Sequence, residues 1–357
     1  MKSSCRKFLT NDVRLLKRFT SNLPCVLRVL SSLLFLFLLL SCEKEITFSG
    51  KNMEPKLVVN SFITPDSLVV AEITESRFFL NNEDTFRIVE GAEVQLYVDN
   101  VFKEQMNDVK YGYYKSVYAP KAGEFIRLVI AKTGFKTVSC ETDVKKQAEI
   151  ISIDSTITLT ESLPITIYSY PNPNTFVIDT VGYNNSYIID FALKFKDPAE
   201  TSDFYRLDVK RQDTLYDGSI VLYDAEIDFS DIVSGKNTST GANVFDGGNA
   251  SNSYNVFSDE IFNGKEYPLK FKYKDYSYSY TPGKNTINDG TGRNYRKKLL
   301  INLQAISKDY YLYLKSRSAS GNDSFFSEPV QIYNNVENGI GILGSYTSKT
   351  ITIELPL

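Results

Sequence analysis

The chain of 357 residues is 42% apolar and 23% charged, a composition typical of a globular protein with enough material for a core. It contains no histidine, which excludes the usual hydrolase triads, imidazole acid–base catalysis and histidine-ligated zinc. Residues 1–41 hold seven bases and one acid, so the remainder carries a net charge of −9. An acidic body predicts no nucleic-acid partner, because phosphates require a basic surface.

The first segment in chain order has the pattern of a lipoprotein leader. Scattered basic residues precede the apolar run 29–40, which ends at Ser41 and Cys42. A bilayer-spanning helix needs about 20 apolar residues, so a retained membrane anchor is the weaker alternative. Leu39-Leu40-Ser41-Cys42 resembles a bacterial lipobox, which predicts a signal peptide over residues 1–41 and a lipid on Cys42. The alternative is a free cysteine that happens to end an apolar stretch.

The remaining chain has the pattern of two β-rich domains. Residues 42–55 are mostly polar and predict a short tether. Short alternating strands, clearest at 92–98, then predict an immunoglobulin- or transthyretin-like β-sandwich over residues 56–143. A second β-rich domain is predicted over residues 150–357, with one short helix at 307–317 whose first serine is the N-cap. The fold class is therefore mainly β.

One strand segment carries the candidate binding residues. Tyr276, Tyr278 and Tyr280 alternate with serines, so all three share one strand face. If that face is exposed, it forms a platform able to stack on sugar rings or bind a partner protein; alternatively the serines face solvent and the tyrosines pack inward. Phe271 and Tyr273 would lie on the opposite strand face from these tyrosines, which predicts a bulge or strand end near residues 274–275.

Paired carboxylates are the enzymatic alternative that survives without histidine. Asp259 and Glu260 form the obvious pair for glycoside hydrolysis, but adjacent strand residues face opposite ways. We therefore predict that the protein is not an enzyme, and a carbohydrate-active enzyme is the third-ranked function.

Four weaker features are assigned no chemistry. Gly339 to Gly344 matches a nucleotide-binding pattern, but no helix follows it, which favours a turn or bulge before the last strand. The stretches 246–249 and 288–290 lack the alternating ligands of a calcium loop. Cys140 lies in an alternating stretch and is predicted to be a half-buried strand residue. No metal and no cofactor are predicted.

Five segments together carry a family resemblance. They are Val-Val-Asn-Ser-Phe-Ile-Thr-Pro-Asp-Ser at 58–67, Val-Phe-Ser-Asp-Glu-Ile-Phe-Asn-Gly at 256–264, Ile-Ser-Lys-Asp-Tyr-Tyr-Leu-Tyr-Leu at 306–314, Phe-Ser-Glu-Pro-Val at 326–330 and Asn-Val-Glu-Asn-Gly-Ile-Gly at 335–341. In this order they resemble the Bacteroidota lipoproteins grouped as domain of unknown function 4249. The chain departs from that pattern at Ser61, where glycine is expected, and at Leu343, where an aromatic residue is common.

The resemblance implies a context, since the family has no established activity or catalytic residues. Such lipoproteins are often encoded beside TonB-dependent transporters, and the charged start Glu43-Lys44-Glu45 resembles signals for the outer face of the outer membrane. The expected protein is a surface-exposed outer-membrane lipoprotein, held by the lipid on Cys42, that assists a TonB-dependent β-barrel transporter. Its expected ligand is a glycan or a peptide. The alternative is a free-standing structural or adhesive surface protein.

Overall fold

The computed structural model describes residues 54–77, 87–215, 217–234, 252–280, 296–320 and 331–356. The predicted signal peptide, Cys42 and most of the predicted tether lie outside these residues. The chain from Glu54 to Leu357 forms one compact unit. Within the described residues, no helix has the length and apolar character needed to cross a membrane.

The described residues form mainly strands, with one α-helix and one short 3₁₀ turn at Ile232–Ser234. The strands are β1 (Leu57–Ile63), β2 (Val70–Glu75), β3 (Glu93–Val98), β4 (Val101–Gln105), β5 (Asn107–Asp108), β6 (Tyr113–Lys115), β7 (Phe125–Ala131), β8 (Val138–Asp143), β9 (Glu149–Asn172), β10 (Thr175–Lys196), β11 (Phe204–Thr214), β12 (Ile220–Asp224), β13 (Ile227–Asp228), β14 (Val256–Ser258), β15 (Glu266–Tyr280), β16 (Arg296–Ile306) and β17 (Ile340–Glu354). The helix, α1, is Lys308–Ser320. The predicted mainly β fold with one short helix is confirmed.

The strands assemble into three sheets. The large sheet has nine strands in the order β12-β11-β16-β17-β1-β2-β6-β5, with β14 also paired to β11. A four-stranded sheet in the order β4-β3-β7-β8 packs on β1, β2 and β6, and the two layers enclose the first hydrophobic core. The hairpin sheet, in the order β13-β15-β10-β9, packs on β11 and β16 around the second core. Each core is therefore a sandwich of two sheets, as alternating strands require.

The two cores are joined by backbone hydrogen bonds between the ends of the chain. The first strand, β1, pairs in parallel with the last strand, β17, in a register that sets Val59 opposite Gly341. Leu343 of β17 also enters the first core. The large sheet thus runs through both predicted domains, and the bounds 56–143 and 150–357 stay a prediction.

The helix begins where its capping residue predicts. Ser307 Oγ accepts a hydrogen bond from the Tyr310 N–H at 3.4 Å and a second from the Ser345 N–H at 3.1 Å. Ser307 is therefore the N-cap, and it also holds β17 against the start of the helix. The buried face of the helix is formed by Tyr310, Leu314 and Ser318, at the predicted helical spacing.

The glycine-rich segment near the C-terminus has no nucleotide-binding geometry. Asn338 has a φ of 59° and forms the turn, and β17 begins two residues later at Ile340. Gly341 and Gly344 lie inside β17, next to other parts of the protein, rather than in a loop followed by a helix. The turn before the last strand is confirmed, but two of the glycines serve close packing within the strand.

Candidate functional site

The tyrosine segment lies on an uninterrupted strand. β15 pairs with β10 from Glu266 to Tyr280 without a shift in register, so the predicted bulge near residues 274–275 is wrong. Tyr276 is 45% exposed and Tyr278 is 57% exposed, so the alternative that they pack into the core is also wrong. The Tyr280 side chain lies outside the described part. The exposed tyrosines make the platform geometry available, and their binding role stays a prediction.

Buried ionic groups explain why inward and outward side chains continue to alternate along β15. Beyond Tyr273 the inward positions of β15 are Asp275 and Ser277, both almost fully buried. Asp275 accepts a hydrogen bond from Lys297 Nζ at 2.8 Å and lies 3.4 Å from a guanidinium nitrogen of Arg211. A buried carboxylate requires such partners, so this end of the sandwich is filled by an ion-pair network instead of aromatic rings.

The outward positions of β15 form a stripe that changes character along its length. Lys270, Lys272 and Lys274 are followed by Tyr276 and Tyr278 at every second residue. Lys274 Nζ lies 5.3 Å from the centroid of the Tyr276 ring, within cation–π range. The hairpin sheet thus offers a charged surface that continues directly into an aromatic one.

A cavity of about 690 Å³ lies at the charged end of this face, which is the size of many small-molecule sites. Its polar lining residues are Asp154, Thr156, Asp190, Ser230, Asp231, Lys270 and Lys272. Lys272 Nζ is 3.0 Å from Asp190, so part of this charge is already paired. Lys272 and Tyr276 are four positions apart on the extended strand, a distance of about 13 Å. Carboxylates, ammonium groups and hydroxyls beside exposed rings are suited to hydrogen-bonding a polyhydroxylated or peptide ligand.

One wall of the cavity is held rigidly by Asp231. Its two carboxylate oxygens accept hydrogen bonds from the Tyr267 hydroxyl, at 2.5 Å, and from the Lys270 N–H, at 2.8 Å. Burial, followed by the hydrogen bond to Asp231, raises the pKa of Tyr267, which stays a neutral donor. The segment at 230–232 is therefore fixed against the edge of the sheet.

The predicted carboxylate pair does not converge. Asp259 is buried whereas Glu260 is exposed, so the two groups face different environments. Asp259 instead approaches Asp197 and Asp203, with one oxygen of each within 4.8 Å of the others. Asp259 lies 56 positions after Asp203 and 62 positions after Asp197, so no local motif in the sequence predicts this trio.

Hydrogen bonds account for most of the oxygens of the trio. Asp197 accepts from the Tyr205 hydroxyl at 2.6 Å and from the Gly264 N–H at 2.9 Å, and Asp259 accepts from the Asp203 N–H at 2.8 Å. Burial raises the pKa of Asp197 above its ordinary value. Oxygen ligands of this kind suit a hard cation. The same bonds tie the end of β10 to the start of β11 and to the turn after β14, which is a structural role.

Cys140 lies in β8 and is fully buried, not half-buried as predicted. Burial raises the pKa of its thiol to about 12, so the reactive thiolate is not formed near neutral pH. The calcium-like stretches 246–249 and 288–290 lie outside the described residues.

The fold defines the protein as a mainly β chain of two packed sandwiches with an exposed aromatic face. The chain belongs to the family described as Domain of unknown function (DUF4249), whose model matches residues 43–352. No curated protein matches it. One similar solved structure is the "Putative membrane anchored protein from Corynebacterium diphtheriae", at 10% identity and a TM-score of 0.19. That alignment covers 79% of this chain and 58% of the other.

Proposed function

We propose that the protein is a lipid-anchored outer-membrane lipoprotein, facing the cell exterior, that binds a ligand or partner for a TonB-dependent nutrient transporter. The observation that carries the binding role is the exposure of Tyr276 and Tyr278 on the face of the hairpin sheet that also carries a polar cavity. Large aromatic side chains held on a rigid strand and left in water are typical of recognition surfaces.

A glycan or an extended peptide is the ligand chemistry that this face favours. Either ligand has apolar surface that can stack on the tyrosine rings and polar groups that can reach Asp154 or Lys270 in the cavity. The balance of acids and lysines there favours a ligand with little net charge.

Binding without catalysis is the mode that we propose. Asp259 and Glu260 are not positioned as an acid–base pair, and one Asp259 oxygen accepts a hydrogen bond from the Asp203 backbone N–H. The chain also lacks histidine, so the commonest proton-transfer group is missing.

Replacing Cys42 by Ala tests the proposed anchor. We expect nearly all of the variant to move from the membrane to the soluble fraction, because each buried acyl CH₂ contributes about 0.8 kcal/mol and the variant has no acyl chain. Fractionation of cells, followed by immunoblotting, measures the shift. Cys25→Ala, which changes a leader cysteine only, is the matched control and should stay in the membrane fraction. A Cys42→Ala variant that also stays there would contradict the anchor.

A further inference from the structure

The outer part of the β9–β10 hairpin is almost free of charge. Residues 162–189 contain a single charged side chain, Asp179, whereas the 13 residues 149–161 contain three acids. The charged part and the neutral outer part of the hairpin therefore belong to the same two strands. A solvated hairpin normally carries charges along its whole length, so their loss toward the tip indicates a different surrounding.

The neutral part extends past the described strands of its sheet. The last described residue of β15, Tyr280, lies opposite Gly182, and Gly182 lies opposite Ile165; among the described residues, β9 and β10 pair only with each other from there to the tip. We call residues 165–181 the projecting ribbon. The seven residues of β10 beyond Gly182 give it a length of about 20 Å.

The projecting ribbon has an aromatic face. Tyr168 lies opposite Ile178, and Tyr170 and Phe176 are two residues further along on the same side. The Phe176 ring centroid is 5.7 Å from that of Tyr168 and 5.4 Å from that of Tyr170. These four side chains are between 52% and 70% exposed, although they cluster. Asp179, the single charge, faces the opposite side.

We propose that this aromatic face docks on the surface of a phospholipid bilayer, at the level of the headgroups and without crossing it. A bilayer contacts one side of an amphipathic element, which fits a ribbon with its aromatic side chains on one face and its charge on the other. Tyrosine rings are favoured at that depth because the ring is apolar and the hydroxyl remains wet. Water at the headgroups can also hydrogen-bond backbone groups at a strand edge, which the hydrocarbon core would not allow.

Charge decides which lipids the projecting ribbon fits. It contains no lysine or arginine, so it lacks the groups that attract proteins to anionic lipids. A neutral ribbon is complementary to a neutral, zwitterionic surface. Binding should therefore occur on phosphatidylcholine alone and should not weaken as salt is raised. This contact does not depend on a lipid at Cys42. It is a weak second attachment that orients the proposed lipoprotein and does not by itself keep the Cys42→Ala variant in the membrane fraction.

The absence of tryptophan from the chain provides a direct test. Tyr170→Trp places a single fluorescent reporter on the aromatic face, in a chain beginning at residue 43, which contains every described strand. With phosphatidylcholine vesicles we expect its emission to shift to the blue and to be quenched by lipids brominated on the acyl chains. Tyr223→Trp on β12, replacing a residue that is 51% exposed, is the control and should show neither change. Unchanged emission of Tyr170→Trp, or equal responses of both reporters, would overturn the proposal.

A pair of substitutions within the projecting ribbon separates docking from folding. Phe176→Asp puts a charge on the aromatic face and should weaken vesicle binding by about tenfold or more. Val177→Asp puts the same charge on the opposite face and should change binding by less than about threefold, with the same urea midpoint as Phe176→Asp. Equal losses in the two variants would overturn the proposal. Absent vesicle binding, together with loss of a protein partner in Phe176→Asp alone, would assign the face to a protein instead.

Discussion

Gly341→Ala is expected to lower the free energy of unfolding by more than about 4 kcal/mol, or to prevent folding altogether. Gly341 has a φ of +125°, which side chains rarely adopt, and an added Cβ would lie 2.0 Å from the Val59 carbonyl oxygen. Relief of this clash requires β1 to separate from β17, and that parallel pairing joins the two halves of the large sheet. Urea denaturation, or the yield of soluble protein, measures the effect.

Gly134→Ala is the matched control for the Gly341 prediction. Gly134 has a φ of +92°, but a Cβ there would meet nothing within 4 Å. Its substitution should cost only the backbone strain, about 1–2 kcal/mol. If both variants lose the same stability, the close approach of β1 and β17 is not as the structure has it.

Lys297→Ala is expected to cost about 3–5 kcal/mol, because it leaves a buried carboxylate without its nearest cation. Asp275 is fully buried and 2.8 Å from Lys297 Nζ, and the Arg211 nitrogen at 3.4 Å replaces only part of that interaction. The free energy of unfolding in urea, with β-sheet circular dichroism as the probe, is the measurement.

Two further variants separate the buried pair from a general effect of removing a lysine. Lys298→Ala, one residue along, removes a partly exposed pair with Glu354 and should cost at most about 1 kcal/mol. Lys297→Met combined with Asp275→Leu should recover most of the lost stability, because neither charge is then buried alone. A Lys297→Ala variant no less stable than Lys298→Ala would contradict the buried network.

The sequence predicts those elements whose signals are local. The helix start at Ser307 is predictable because the N-cap serine and the residues whose N–H groups it caps lie within one turn of chain. The β-rich fold follows in the same way from alternation with a period of two. Such signals extend over fewer than ten residues, and they are independent of the partner strand.

The sequence does not predict features that depend on a residue or strand distant in the chain. The inward Asp275 on β15 breaks the alternation of apolar and polar positions, and its partners Lys297 and Arg211, both on another sheet, explain it. The parallel pairing of Val58 with Ile340 joins residues from opposite ends of the chain. The outer part of the β9–β10 hairpin escapes detection for another reason. Alternation predicts strands at 150–159 and 189–195, but between them too few charged side chains mark a solvent-exposed face.

The candidate binding face shows the same division. Alternation alone places Tyr276 and Tyr278 on one face of a strand, but which face is exposed depends on the sheet packed against the other side. The cavity could not be predicted, because Asp154, Asp190 and Asp231 come from three separate segments.

The measurement that tests the proposed function most directly is purification of the tagged protein from gently solubilised outer membranes, with mass spectrometry of its stoichiometric companions. We expect a β-barrel transporter to co-purify with the natural chain. Its loss in the chain carrying both Tyr276→Ala and Tyr278→Ala would place the transporter itself on the tyrosine face, whereas its retention would leave that face to the glycan or peptide ligand. The chain carrying Tyr223→Ala, on a different sheet, is the control and should retain the transporter. A natural chain recovered alone would contradict the transporter role and favour a free-standing binding or adhesive protein.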